Sequence, residues 1–268
     1  MLEALQMPFF QHALAAGFLI AIAIGLIGPL TMANRMTFMS GGIAHATYGG
    51  VGAAIFFGTS VLTGAMVAAL LAAAVISFVA YRYAHRADTV IGIVWAVGMA
   101  IGVILSDMTP GYNVDLMSFL FGSILAVGLE DIQMMALFDL TALGLVWYFY
   151  YDFIALSFDP VFARLQGVKT ELLHLLLLGL VAVTVVLAMR LVGLIMLIAL
   201  LTMPSFSAER YVRSLGGMVI FSIIVSIIYI VTGLFLAYWY DLSAGASIVI
   251  VAAFGTISLF LIKKYRKR

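Results

Sequence analysis

The chain is a succession of long apolar blocks separated by short polar segments. Runs of about 17–25 apolar residues are long enough to cross a bilayer as helices. The predicted spans are 13–33, 43–58, 60–81, 90–107, 133–150, 172–189, 191–205, 216–238 and 244–262. A further apolar stretch, Leu116 to Val127, is too short to span and indicates a re-entrant or surface helix. Because the boundary at Arg190 is soft, the pattern predicts an all-α polytopic membrane protein with about eight or nine transmembrane helices.

The composition points to the same class of protein. Of 268 residues, 65% are hydrophobic and 9% are charged, whereas an average soluble domain is about half apolar and a quarter charged. The chain has no cysteine, which excludes disulfides, thiolate metal sites and cysteine nucleophiles. Its first residues lack the positive segment of a cleavable signal peptide, so the first apolar run is expected to stay as a helix.

Basic residues sort to one side of the predicted membrane topology. If the chain crosses nine times, every Lys and Arg except Arg190 lies on the same side. These residues are Arg35, Arg82, Arg86, Arg164, Lys169, Arg210, Arg213, Lys263, Lys264, Arg266, Lys267 and Arg268. Positive charge is retained on the cytoplasmic side. The sequence thus predicts a multi-pass protein of the cell (inner) membrane with its N-terminus outside and its C-terminus inside.

Acidic residues gather on the opposite, outer side. The outer ends and loops carry Glu3, Asp107, Asp115, Glu130, Asp131 and Asp241. Negative charge around an entrance steers cations toward it, and carboxylate oxygens are good ligands for hard divalent ions. We therefore treat Asp107, Asp115, Glu130 and Asp131 as candidate metal-contacting residues; the alternative is that they only solvate loops.

Two ionisable residues fall well inside predicted spans. His45 lies in a glycine-rich run of the second span, and Asp139 lies in the fifth. Ionisable groups at membrane depth are expensive and often mark a transport path, and neutral imidazole is a common ligand of zinc and similar ions. Alternatively, His45 is hydrogen-bonded across helices, and Asp139 is paired or protonated. The other histidines, His12, His85 and His174, lie near span ends and are expected to be interfacial.

The longest inner loop, about 152–171, contains the signals of a short capped helix. Asp159 (or Ser157) can cap a helix whose first residue is Pro160, and Gly167 can end it. The predicted helix has about two turns and carries Phe162 and Leu165. It is either a docking element for a cytoplasmic partner or a capped connector.

Sequence signatures of enzymes are missing. There is no nucleotide-binding GxxxxGK[ST] motif, and HExxH, GxSxG and a strand-linked GxGxxG are absent. We expect no catalytic residues, no permanently bound cofactor and no nucleic-acid partner. A stand-alone channel or ion-coupled transporter stays possible on these grounds.

Six motifs in order resemble the membrane permeases of ABC-type zinc, manganese and iron importers. They are Gly28-Pro29-Leu30 with Arg35 to Phe38, Ile43-Ala44-His45-Ala46, Asp88 to Ile93, Asp115 to Val127, Phe158-Asp159-Pro160 through Ala163-Arg164 and Gly167, and Gly245 to Val249. Together they span about residues 28 to 252. Each motif is short, and their common order is what makes the resemblance specific.

The resemblance implies a type II importer whose single transmembrane permease domain covers residues 1–268. Two permease copies would line the pathway, and two cytoplasmic ATPase subunits would supply ATP hydrolysis. An extracellular or periplasmic metal-binding protein would deliver a divalent metal ion as the transported substrate. The ATPase-coupling residues implied are Asp159, Pro160, Phe162, Ala163, Arg164 and Gly167.

One departure bears on the ion. Many family members have Asp four residues before the motif histidine, where this chain has Gly41. His45 is then the metal ligand, or transient path residue, that the resemblance still supports. Because an imidazole suits zinc, zinc is the first expectation, and manganese, iron or a metal chelate is the alternative.

Overall fold

The computed structural model describes residues 6–109, 120–123 and 127–266, and this part of the chain is helical with no β-strand. The helices are α1 (Pro8–Ala33), α2 (Thr37–Phe56), α3 (Val61–Arg82), α4 (Ala87–Asp107), α5 (Leu129–Tyr148), α6 (Tyr150–Phe158), α7 (Pro160–Leu165), α8 (Thr170–Val192), α9 (Leu194–Tyr211), α10 (Leu215–Tyr240) and α11 (Ala244–Arg266). A 3-10 turn, Ala84–Arg86, precedes α4.

Each of the nine predicted spans coincides with one helix. Six helices, α1, α3, α4, α8, α10 and α11, are long and apolar enough to cross a membrane. The pair α5 and α6, bent by 67° at its break, makes a seventh if it is one span. The helices α2 and α9 are not counted, because they carry more polar residues than the other six. Length and composition therefore give six or seven spans in the described residues.

The helices divide into two compact units. Unit one comprises Met1–Ala33, Leu116–Tyr150 and Leu187–Arg268, and unit two comprises Asn34–Asp115 and Tyr151–Val186. In unit one, α1 packs against α5, α9 and α10, and α11 packs against α9 and α10. In unit two, α2 packs against α3 and α4.

Glycines let the backbones of unit two touch. A Cβ atom on Gly49 would lie 2.7 Å from the carbonyl oxygen of Gly98. A Cβ atom on Gly98 would lie 2.5 Å from the Cα of Ala46. These distances are shorter than a van der Waals contact, so α2 and α4 approach along a seam of small residues, as membrane helices often do.

One helix break in unit one was predicted from the sequence. Gly193 separates α8 from α9 with φ 83°, a backbone conformation that glycine adopts without strain. The predicted break at Arg190 is therefore confirmed, three residues further along. The proposed re-entrant or surface helix, Leu116 to Val127, lies mostly outside the described residues.

Candidate metal path and coupling helix

The candidate path begins on α2, which is buried from Ser40 to Gly52. Because the side chains of α2 are small, neighbouring helices pack closely around it, and His45 is only 7% exposed. An imidazole in such a position has to find a partner within the protein. The local sequence therefore explains why a polar ring is held at this depth.

The His45 ring has a defined tautomer. Nδ1 lies 2.8 Å from the carbonyl oxygen of Gly41, one turn earlier on α2. Because a carbonyl oxygen can only accept, Nδ1 must donate its proton, and Nε2 then carries a lone pair. A backbone carbonyl in this role also orients metal-binding imidazoles. Within the described residues the ring makes no second hydrogen bond, so Nε2 is open to a ligand.

Trp95 on α4 holds the ring from one face. The ring centroids of His45 and Trp95 lie 3.7 Å apart with an angle of 19° between the planes. Stacking of this kind restricts the rotation of the imidazole. Trp95 could not be identified from the sequence, because it is 50 residues away from His45 and belongs to a different helix.

His45 is not part of a cluster of three or more acidic or histidine side chains among the described residues. No group of three or more His, Asp or Glu side chains in this part of the chain lies close enough to hold a metal ion. At Gly41, where the resembling family often has Asp, the chain offers only a carbonyl that is already bonded to His45. The role of His45 as a ligand or path residue therefore stays a prediction.

One of the carboxylates predicted to contact the metal is already paired. Nη1 of Arg190 donates to both carboxylate oxygens of Asp131, each at 2.8 Å. The backbone N–H of Gly128 adds a hydrogen bond of 2.9 Å to the same carboxylate. Asp131 would therefore have to leave Arg190 to bind an ion. Like the other acidic candidates, Asp131 remains a predicted metal contact.

The other acidic candidates differ in environment. Asp107 ends α4 and is exposed, and Glu130 is exposed in the first turn of α5. Asp139 is buried two turns further along α5, and its Oδ2 has no hydrogen-bond partner in the described structure. Asp115 lies outside the described residues. Asp139 therefore remains a functional candidate, because one oxygen of its buried carboxyl group makes no hydrogen bond in the described structure.

The predicted capped helix is present as α7. Oδ1 of Asp159 accepts hydrogen bonds from the backbone N–H groups of Val161 (2.9 Å) and Phe162 (3.0 Å), and Pro160 is the first residue. Gly167 ends the segment with φ 85°. The helix has six residues, fewer than the two turns expected. The segment around 152–171 is also more helical than predicted, because α6 fills 150–158.

An exposed apolar patch surrounds α7. Ala163 is buried, and the guanidinium carbon of Arg164 lies 5.2 Å from the ring centre of Tyr81 on α3. The large apolar side chains point outward: Phe158, Val161, Phe162 and Leu165 are all more than half exposed. A capped helix that buries one small residue and exposes three large apolar ones, with Phe158 of α6 beside them, is suited to contact another protein.

The architecture is that of a multi-pass membrane permease with a buried polar residue and an exposed short helix. The chain belongs to the ABC 3 transport family, whose model matches residues 6–263. It is therefore a permease subunit and not an enzyme. The family membership predicted from the six motifs is confirmed.

Individual relatives are similar over nearly their full length. The chain is 44% identical over 253 residues to an uncharacterized membrane protein of Synechocystis sp., covering 94% of this chain and 90% of that one. It is 34% identical over 263 residues to the manganese import system permease protein ScaB of Streptococcus parasanguinis, covering 98% and 94%. The structure of PsaBC from Streptococcus pneumoniae in complex with Fab matches with a TM-score of 0.85, 33% identity and coverage of 98% and 93%.

Proposed function

We propose that this chain is the permease subunit of an ATP-driven importer that moves a divalent transition-metal ion into the cytoplasm by alternating access. The observation that carries the proposal is the open Nε2 of His45 on a buried helix, with Nδ1 fixed to the carbonyl of Gly41 at 2.8 Å. A neutral imidazole with one free lone pair is a metal ligand that can exchange its ion.

Manganese is the first ion to test and zinc the second. The zinc expectation rests on the imidazole alone. A relative of 34% identity is named for manganese import, which gives manganese at least as much support. Iron and metal chelates complete the set. The metal ion is the cargo in every case, and ATP is bound by the partner.

Two ATPase subunits, a second copy of this chain and an extracellular or periplasmic metal-binding protein complete the proposed complex. Support for the ATPase partner comes from α7, with its exposed Phe162 at the segment that carries the resemblance. In this proposal residues 1–268 form one permease domain in the inner membrane. The basic side, including the C-terminus, faces the cytoplasm.

The decisive experiment is uptake by the complex reconstituted in liposomes. Manganese, zinc, iron(II) and cobalt are offered in turn, with and without ATP in the compartment that holds the ATPase. We expect ATP-dependent accumulation of manganese or zinc. Accumulation of none of the offered ions, or equal accumulation without ATP, would contradict the proposal, and accumulation of iron(II) or cobalt alone would contradict only the choice of manganese or zinc.

The docking role of α7 is tested separately by co-purification. Phe162→Ala with Arg164→Ala should reduce recovery of the ATPase with the permease, because it removes the exposed ring and the cation beside it. Phe57→Ala is the matched control, since Phe57 is also an exposed aromatic residue (70%) but lies just after the C-terminal end of α2, away from α7 in the sequence. If equal amounts of ATPase are recovered with both variants, α7 is only a capped connector.

A further inference from the structure

The ends of α9 and α11 in unit one form a basic cleft that the transport mechanism does not use. It has a volume of about 400 Å³ and is lined by Arg210, Phe260, Lys263 and Lys264. We propose that this cleft binds the phosphate headgroup of an anionic phospholipid. Its position in the cytoplasmic leaflet rests on the orientation given under Proposed function.

The guanidinium of Arg210 is held in place by aromatic rings. Its central carbon lies 4.1 Å from the ring centre of Phe260 and 5.0 Å from that of Phe206. The buried Nε has no hydrogen-bond partner in the described structure. A cation between two rings is oriented but not neutralised, so Arg210 retains donors for an anion.

The lysines add charge without a counter-charge. The ammonium of Lys263 lies 5.1 Å from the ring centre of Tyr211, and Lys264 is exposed. In residues 6–109, 120–123 and 127–266 the one ion pair within 4.0 Å is that of Arg190 with Asp131. Three cations without a carboxylate partner therefore meet in one cleft, which favours a phosphate group.

The framework behind the cleft is fixed by contacts between helices. The hydroxyl of Tyr211 donates to the carbonyl of Leu259 at 2.6 Å, and the Tyr211 ring stacks on Phe221 with centroids 5.4 Å apart. One turn earlier on α9, Ser207 donates to the hydroxyl of Thr256 at 3.3 Å. These contacts join α9 to α10 and α11, so the cations are presented by a rigid surface.

An apolar track leads away from the cleft along α11. Its exposed residues, spaced by four, three and four positions, are Ile250, Phe254, Ile257 and Leu261. Lys264 continues the same face one turn later. The distance from Ile250 to Lys264 is about 21 Å along a helix, comparable with one leaflet of a bilayer. A lipid would place its phosphate among the cations and its acyl chain on this track, which a soluble protein partner would not need.

The test is native mass spectrometry of the purified full chain titrated with dioleoyl phosphatidylglycerol or dioleoyl phosphatidylcholine. We expect tighter binding of phosphatidylglycerol. Lys263→Gln with Lys264→Gln should weaken it by about fivefold for each charge removed. Arg213→Gln is the matched control, because Arg213 is an exposed cation near the end of α9 but outside the cleft. Equal affinity for the two lipids, or equal loss in both variants, would overturn the proposal.

Further measurements distinguish a lipid in the cleft from inorganic phosphate or a protein partner. Phe254→Ala with Ile257→Ala should weaken dioleoyl but not dihexanoyl phosphatidylglycerol, because only the long chains reach the track. If inorganic phosphate binds as tightly as the lipid, the cleft is an anion site and the lipid proposal is wrong. Loss of ATPase co-purification in the lysine variant with unchanged lipid binding would identify a protein interface instead. None of these measurements depends on transport, so they can fail while the proposed function holds.

Discussion

Two histidines of unit two lie within helices long enough to span, and they use their nitrogens differently. His45 bonds to a carbonyl of its own helix and keeps Nε2 open, while its face rests on Trp95. His174 on α8 bonds through Nδ1 to the hydroxyl of Ser77 on α3 at 2.8 Å, and its ring meets the edge of Tyr81. The Nδ1 bond of His174 joins two helices and so stabilises their packing, whereas the Nδ1 bond of His45 stays within α2 and joins no helices.

The first prediction is the loss of transport in His45→Ala. If His45 contacts the metal as proposed, removing its imidazole should lower ATP-dependent uptake by about 10- to 100-fold without preventing assembly with the ATPase. His174→Ala is the matched control and should keep uptake within about twofold. Initial rates of manganese and zinc uptake in liposomes measure both. Similar uptake in the two variants would remove the distinction between the histidines.

The second prediction extends the comparison to carboxylates of unit one. Asp131→Ala should lower the free energy of unfolding by about 2–3 kcal/mol, because it leaves Arg190 without its partner. Arg190 is 31% exposed on its side chain, so the loss stays below that of a fully buried pair. Thermal and denaturant unfolding in detergent measure it. Adding Arg190→Met should recover part of the loss; no recovery would mean that the pair is not the cause.

The third prediction disturbs the packing on which the His45 site depends. Gly49→Ala should destabilise the chain by about 2 kcal/mol, since the new Cβ would meet the Gly98 carbonyl at 2.7 Å. Gly92→Ala on the facing helix α4 is the control, because a Cβ there meets nothing within 4 Å. Equal unfolding midpoints for the two variants would show that α2 and α4 can separate without cost.

Local features were predictable because their causes are local. The Asp159 cap, Pro160 and Gly167 lie within nine residues and determine α7 by backbone hydrogen bonding alone. The nine helices follow equally directly from apolar run length. Their count as spans falls to six or seven in the described residues, because polar residues in α2 and α9 lower the mean hydropathy of those helices.

Pairings between distant residues were not predictable. Asp131 and Arg190 are 59 positions apart, and Ser77 and His174 are 97 apart. The predicted position of His174 at a membrane interface stays a prediction, and the structure adds that His174 is half-buried and bonded to α3. Such contacts depend on which helix faces meet, and hydropathy contains no information about that. The sequence could nominate His45 but could not identify its tautomer or Trp95.

The smallest expected effect tests the structural histidine directly. Ser77→Ala should cost about 1 kcal/mol of unfolding free energy, the usual contribution of one hydrogen bond. His174→Ala should cost a similar amount, plus its ring contact with Tyr81. Because both variants remove the same bond, the double variant should be less destabilised than the sum of the two. Additive losses would mean that this hydrogen bond contributes nothing.

Transport by Ser77→Ala should remain normal, since the bond holds α3 to α8 and leaves Nε2 of His45 untouched.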